Sequence, residues 1–142
     1  MTREERASEV VDYVGYLNHL YDTVLEGQDL SKLQINVLAF SQGNATALRW
    51  LNNDHIRCDR LIIWAGYFAH GIADVIEPHK LKNLPTTVVY GTQDEYLVQI
   101  DLAKYEADIQ AAIQHIQVVN FDGKHTIDKP TLHKIAFQSS LI

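Results

Sequence analysis

Ile35-Asn36-Val37-Leu38-Ala39-Phe40-Ser41-Gln42-Gly43-Asn44-Ala45-Thr46-Ala47-Leu48 is the stretch whose reading decides the fold. It begins as a short apolar run, Ile35 to Phe40, without polar alternation. Such a run predicts a strand covered on both faces, as in a parallel sheet between helix layers. At Ser41 the pattern changes within one residue to helical spacing, with Ala45, Leu48 and Leu51 on the inner side. Gly43 and Ala45 are small enough to let that helix start close to the strand. A serine at such a turn is pushed out of the backbone at a strand end, with a helix N-terminus beneath it.

Further strands and helices alternate along the rest of the chain. Leu61-Ile62-Ile63-Trp64 and Thr86-Thr87-Val88-Val89-Tyr90 read as the second and third strands, and Ile116 to Phe121 as the fourth. Between them lie a short helix over Ile72 to Ile76 and a longer one from Val98 to His115. Asp128 and Pro130 are start signals for a last helix, whose apolar face carries Leu132, Ile135 and Ala136. Ahead of the first strand, residues 2 to 26 form an amphipathic helix, capped by Thr2 with Glu5 completing a capping box. Its buried stripe is Ala7, Val10, Val11, Val14, Leu17, Tyr21, Val24 and Leu25, and Gly27 stops it. The fold class is therefore α/β, an open parallel sheet of about four strands flanked by helices within one domain, residues 1–142.

Composition narrows the function. Hydrophobic residues at 46% and charged residues at 21% are those of a globular chain. A net charge of −6 argues against nucleic acid or an anionic membrane as the partner. No apolar run reaches the roughly 18 residues of a membrane span. A lone Cys58 excludes an internal disulfide and, with an N-terminus unlike a signal peptide, makes the cytoplasm the expected compartment. No His/Cys/Asp/Glu cluster has metal-ligand spacing, so neither metal nor cofactor is expected. Cys58 reads as a small buried hydrophobe.

A parallel sheet gathers the C-terminal ends of its strands along one edge. Ser41, Asp94 and His125 follow the first, third and fourth strands, so the topology brings all three to that edge. A serine hydroxyl is a weak nucleophile until a base accepts its proton. His125 is the candidate base, and Asp94 the acid that would fix its tautomer. Glu95 and Asp122 are the rival acids. The Gln42 N–H, at the helix start, is the candidate oxyanion donor. Tyr67 and Phe68, just past the second strand, are candidate pocket residues, since open α/β sheets bind ligands beyond strand C-termini. Each has a plainer alternative: Ser41 a helix cap, Asp94 a turn residue, His125 a loop histidine, the two aromatics a core lid.

Ala39-Phe40-Ser41-Gln42-Gly43 matches the Gly-x-Ser-x-Gly nucleophile elbow except at its first glycine, and Ser, Asp, His is the order used by α/β-hydrolases. From about Leu33 onward the chain resembles that superfamily. Phe40-Ser41-Gln42-Gly43-Asn44-Ala45 is most similar to the phospholipase/carboxylesterase family, which includes acyl-protein thioesterases and whose elbow reads Gly-Phe-Ser-Gln-Gly-Gly-Ala. Val89-Tyr90-Gly91-Thr92-Gln93-Asp94 and Phe121-Asp122-Gly123-Lys124-His125 resemble its acid and histidine segments. Ala39 and Asn44 depart from its glycines.

The resemblance implies a serine hydrolase of carboxylic esters or thioesters, acting through an acyl-enzyme on Ser41. It also implies that the family's N-terminal strands, and the loop giving a second oxyanion N–H, are absent from this chain. Loss of one such donor costs about 10²–10³ in turnover. The first strand then becomes a sheet edge, expected to be covered by a second copy, a partner or the N-terminal helix. The alternatives are an impaired hydrolase remnant acting as a binding or oligomerisation module, and an anion-binding domain with phosphate at Ser41 to Asn44.

Overall fold

The structure, a computed structural model, describes residues 1–137. Among the described residues the order is α1 Arg3–Val24, β1 Asn36–Phe40, α2 Gly43–Asn52, β2 Arg60–Trp64, β3 Thr86–Gly91, α3 Leu102–Ala112, β4 Ile116–Phe121 and α4 Lys129–Ala136, with two 3₁₀ turns, Ile72–Asp74 and Pro78–Leu81, in place of a helix between β2 and β3. The strands lie side by side in chain order, β1-β2-β3-β4, and every pair is parallel. Phe40 stands beside Trp64, Trp64 beside Val89 and Val89 beside Val119, so the strand ends fall on one edge.

Period-two alternation divides the strands between two cores. Leu61, Ile63 and Val88 meet Leu48 of α2, Ile109 of α3, Ile113 and the connector residues Ile72, Val75 and Leu81. Ile62, Trp64 and Val89 point the other way, against Phe121 and Ile135 of α4. β2 and β3 are wholly buried, as central strands between layers are.

β1 departs from the expected double coverage: Asn36 and Leu38 are exposed, Leu38 at 37%. It is an edge strand, and on the α4 side of the sheet its Phe40 packs against the core that holds Trp64 and Ile135.

The helix ends follow their caps. Thr2 and Glu5 form the reciprocal capping box of α1, at 3.1 and 2.6 Å. The stripe of α1 is narrower than the sequence predicts. Val14 is buried, whereas Val11 and Val24 are 71% and 65% exposed and Ala7 is exposed. A single partner helix, α2, takes up only part of an apolar arc that wide. The polar Asn18 sits in this contact, accepting from Trp50 Nε1 and donating to Asn53 Oδ1, both at 2.9 Å.

Two further helix boundaries shift. The expected helix from Val98 to His115 is shorter, because Asp101 caps Leu102–Ala112 by accepting from the Lys104 N–H. Leu97–Gln99 forms a separate 3₁₀ turn, and Ile72–Asp74 is another in place of a short α-helix. In α4, capped by Asp128, Ile135 is buried but Ala136 is exposed.

Candidate active site

Ser41 ends β1 with φ at +55°, the left-handed region that costs a residue with a Cβ on the order of 1 kcal/mol. The turn is secured from below. The Ser41 N–H donates to Trp64 O at 2.9 Å, extending the β1–β2 ladder by one bond. Asn44, only 1% exposed, donates its side-chain amide to the carbonyls of both Ser41 and Trp64 at 3.0 Å. Asn44 thereby ties the first turn of α2 to the end of β2. A Cβ on Gly66 would lie 2.6 Å from the Asn44 side chain, so the bulk at position 44 requires a glycine opposite. Gln42, next in the chain, lies at the start of α2, where the first N–H groups have no partner within the helix.

Asp94 follows β3 through Gly91-Thr92-Gln93. Any side chain on Gly91 would overlap the backbone carbonyls of Gly123 and Lys124, and its absence lets the acid loop and the histidine loop touch. Thr92 N–H donates to Phe121 O and Gln93 N–H to Gly123 O, both at 2.8 Å. Trp64 Nε1 anchors the far side of the histidine loop on Thr126 O at 2.9 Å.

These loops bring the three sequence-selected residues into one line. Ser41 Oγ lies 2.8 Å from His125 Nε2, and His125 Nδ1 lies 2.8 Å from Asp94 Oδ2. The other Asp94 oxygen accepts from the Tyr96 backbone N–H at 2.8 Å. Asp94 is 1% exposed, whereas Glu95 and Asp122 are exposed and Asp122 is engaged by Gln93 Nε2 at 2.6 Å. The imidazole is flanked by two rings, Phe40 at 5.0 Å and Tyr96 at 4.5 Å between centroids. An imidazole confined this way, with one nitrogen on a buried carboxylate and the other on a hydroxyl, can take a proton and return it in place.

Tyr67 and Phe68 are half-buried and line the clefts beside Ser41. One cleft of about 580 Å³ opens over Ser41, Gln42, Tyr67, Tyr96 and His125. A second, of about 690 Å³, lies between Tyr67, Phe68, His70, Ile100 and Tyr105 and does not include Ser41. Tyr67 is more than a wall: its hydroxyl donates to Asp94 Oδ2 at 2.9 Å. Burial first, and the Asp94 carboxylate second, hold that phenol well above the ordinary range, so it remains protonated and a donor. Tyr105 of α3 supports it. Its ring packs edge-on at 5.5 Å and its hydroxyl donates to Gly66 O.

The Tyr67 hydroxyl, the Tyr96 N–H and the Asn44 amide all escaped sequence reasoning. The one available signal was the presence of tyrosines just past β2 and just past Asp94. Among the described residues, no group of three His, Cys, Asp or Glu could hold a metal ion. No helix there is long and apolar enough to cross a membrane.

No protein-family model matches the chain, and no curated protein matches it in sequence. Solved structures do. Arabidopsis thaliana SOBER1 is similar over 90% of this chain at 20% identity, with a TM-score of 0.58. Zea mays acyl-protein thioesterase 2 matches over 89% at 13% identity and 0.62. YahD, solved with malic acid, matches over 90% at 14% identity and 0.63. The match spans 61% of each of those chains. The parallel sheet, its flanking helices and these likenesses together show that the chain has an α/β-hydrolase fold.

Proposed function

We propose that the protein is a serine hydrolase that cleaves carboxylic esters or thioesters through an acyl-enzyme on Ser41. The observation that carries this reading is the unbroken line from Ser41 Oγ through His125 to Asp94, two contacts of 2.8 Å. Ser41 Oγ attacks the carbonyl carbon of the substrate while His125 Nε2 takes its proton. The Gln42 N–H donates to the oxygen on which negative charge develops. His125 then returns the proton to the departing alcohol or thiol, leaving the acyl group on Ser41. Water, deprotonated by the same imidazole, releases the acid and restores the enzyme. Asp94 keeps the proton on Nδ1, so that Nε2 stays free to accept, and balances the imidazolium as it forms. Tyr67 and Phe68 line the substrate side.

The reading is tested with p-nitrophenyl acetate and an acyl-thiol substrate. Hydrolysis of either, abolished by Ser41→Ala in folded protein, supports it. Folded wild-type protein that hydrolyses neither contradicts it.

A second reading rests on a different observation, the outer edge of β1, which pairs with no other strand among the described residues and leaves Leu38 exposed. In this reading the chain is an impaired hydrolase whose open strand binds a partner or a second copy. Its mark is association through β1 in protein that does not turn over. One domain over residues 1–142 and a cytoplasmic location accompany both readings.

A further inference from the structure

Among the described residues Asp94 is the one carboxylate on His125, and its surroundings are built from three separate segments. Tyr96 N–H holds Oδ1 from the acid loop itself. His125 Nδ1 meets Oδ2 from the loop after β4. The third donor, Tyr67 Oη, reaches the same Oδ2 from the loop after β2. A carboxylate offers about four lone-pair directions, so Oδ2 can accept from imidazole and phenol together.

The delivery of Tyr67 is specific. Ala65 takes φ at +50° to turn the chain out of β2, Gly66 fits against Asn44, and Tyr105 of α3 fixes both the Gly66 carbonyl and the Tyr67 ring. A phenol needed only to fill a cleft wall would not require its oxygen to end on a carboxylate that is 1% exposed.

We propose that Tyr67 is a positioning residue, whose hydroxyl locks the Asp94 carboxylate so that Oδ2 faces His125 Nδ1. It acts through Asp94 and touches none of the reacting atoms. Without it, Asp94 keeps the Tyr96 N–H on Oδ1 and His125 Nδ1 on Oδ2 but loses the second donor that fixes Oδ2. The carboxylate can then swing about its Cβ–Cγ bond, and the imidazole loses a fixed partner. This rests on the hydrolase reading for its catalytic consequence, but the geometry it asserts can be read without turnover.

The experiment compares wild type with Tyr67→Phe, which keeps the ring against Tyr105 and removes only the hydroxyl. NMR follows the downfield resonance of the His125 Nδ1 proton, and steady-state kinetics follow an activated ester. Expected are a shifted or broadened Nδ1 resonance and kcat lowered roughly tenfold, the scale of one hydrogen bond to a charged group, with KM within about twofold. In an Asp94→Asn background, Tyr67→Phe should lower kcat no further, because the two act as a unit. An unchanged resonance overturns the proposal, as does a rise in KM alone or an equal loss of kcat in the Asp94→Asn background. If the wild type shows no turnover, the hydrolase reading fails while the resonance still decides the role of Tyr67. If Tyr67→Phe does not fold, 3-fluorotyrosine at position 67 retains the hydroxyl and strengthens it as a donor. The same resonance must then move, and its failure to do so overturns the proposal.

Discussion

His125 Nε2 lies 2.8 Å from Ser41 Oγ although 84 residues separate the two in the chain. That contact depends on the parallel order of the strands, on the positive φ of Ser41 and on the approach of the Gly91 and Gly123 loops. Each support can be removed separately, and each removal has its own expected outcome.

Removing the acid leaves the nucleophile and base in place but frees the imidazole tautomer. Asp94→Asn should lower kcat on an activated ester by about 10³–10⁴-fold in any preparation that turns over. Glu95→Gln and Asp122→Asn, which alter exposed side chains, should stay within about twofold of wild type. A large loss in Asp122→Asn with little in Asp94→Asn would move the role to the neighbouring acid.

The elbow is tied down by Asn44, and Asn44 is accommodated by Gly66. Gly66→Ala should destabilise the fold by about 2 kcal/mol, because the new Cβ meets a packed side chain at 2.6 Å. Asn44→Gly alone should cost about 1–3 kcal/mol through two lost bonds to buried carbonyls. The double variant should be less destabilised than the sum of the two, since the clash disappears with the side chain. Urea unfolding of the four proteins measures this, and strict additivity would deny the coupling.

Cys58 supplies a pH dependence. Burial pushes its thiol up to about 11, above the value of about 9 that a free thiol has. The folded state therefore holds the proton where the unfolded chain has lost it. This contribution to stability is complete below about 9 and is lost as pH rises from there toward 11. Between those limits wild type should lose stability faster than Cys58→Ala. At pH 8 the native thiol should resist iodoacetamide and react once the protein is unfolded. Parallel stability profiles for the two proteins would contradict the expectation.

The outer edge of β1 is the natural place for a second chain to pair. Self-association that increases with concentration, measured by analytical ultracentrifugation, is the expected behaviour, and Leu38→Lys should suppress it by placing a charge on the exposed edge strand. A monomer at all concentrations would remove the case for pairing through β1.

Much of this molecule is legible from its residues. The four apolar runs, the Thr2–Glu5 box and the Asp128 cap are local signals, and local chemistry decides them. Ser41, Asp94 and His125 could be selected because strand ends in a parallel sheet share an edge, which is a topological inference. Val11 and Val24 were misjudged for the opposite reason. Their spacing belongs to a buried face, but how much of a face is buried depends on the width of the partner helix, which no local pattern encodes. Tyr67 shows the same limit within the site. Its position beyond β2 marked it for the cleft, while the aim of its hydroxyl at Asp94 depends on Ala65, Gly66 and Tyr105 acting together in space.

The central claim is that His125 activates Ser41, and a fluorophosphonate probe tests it most directly, because labelling needs an activated serine and not a complete substrate pocket. Intact-mass spectrometry of the folded protein should show a single adduct mapping to Ser41, absent in Ser41→Ala and strongly slowed in His125→Ala. Folded wild-type protein that takes up no label, or labels equally well without His125, would contradict the account.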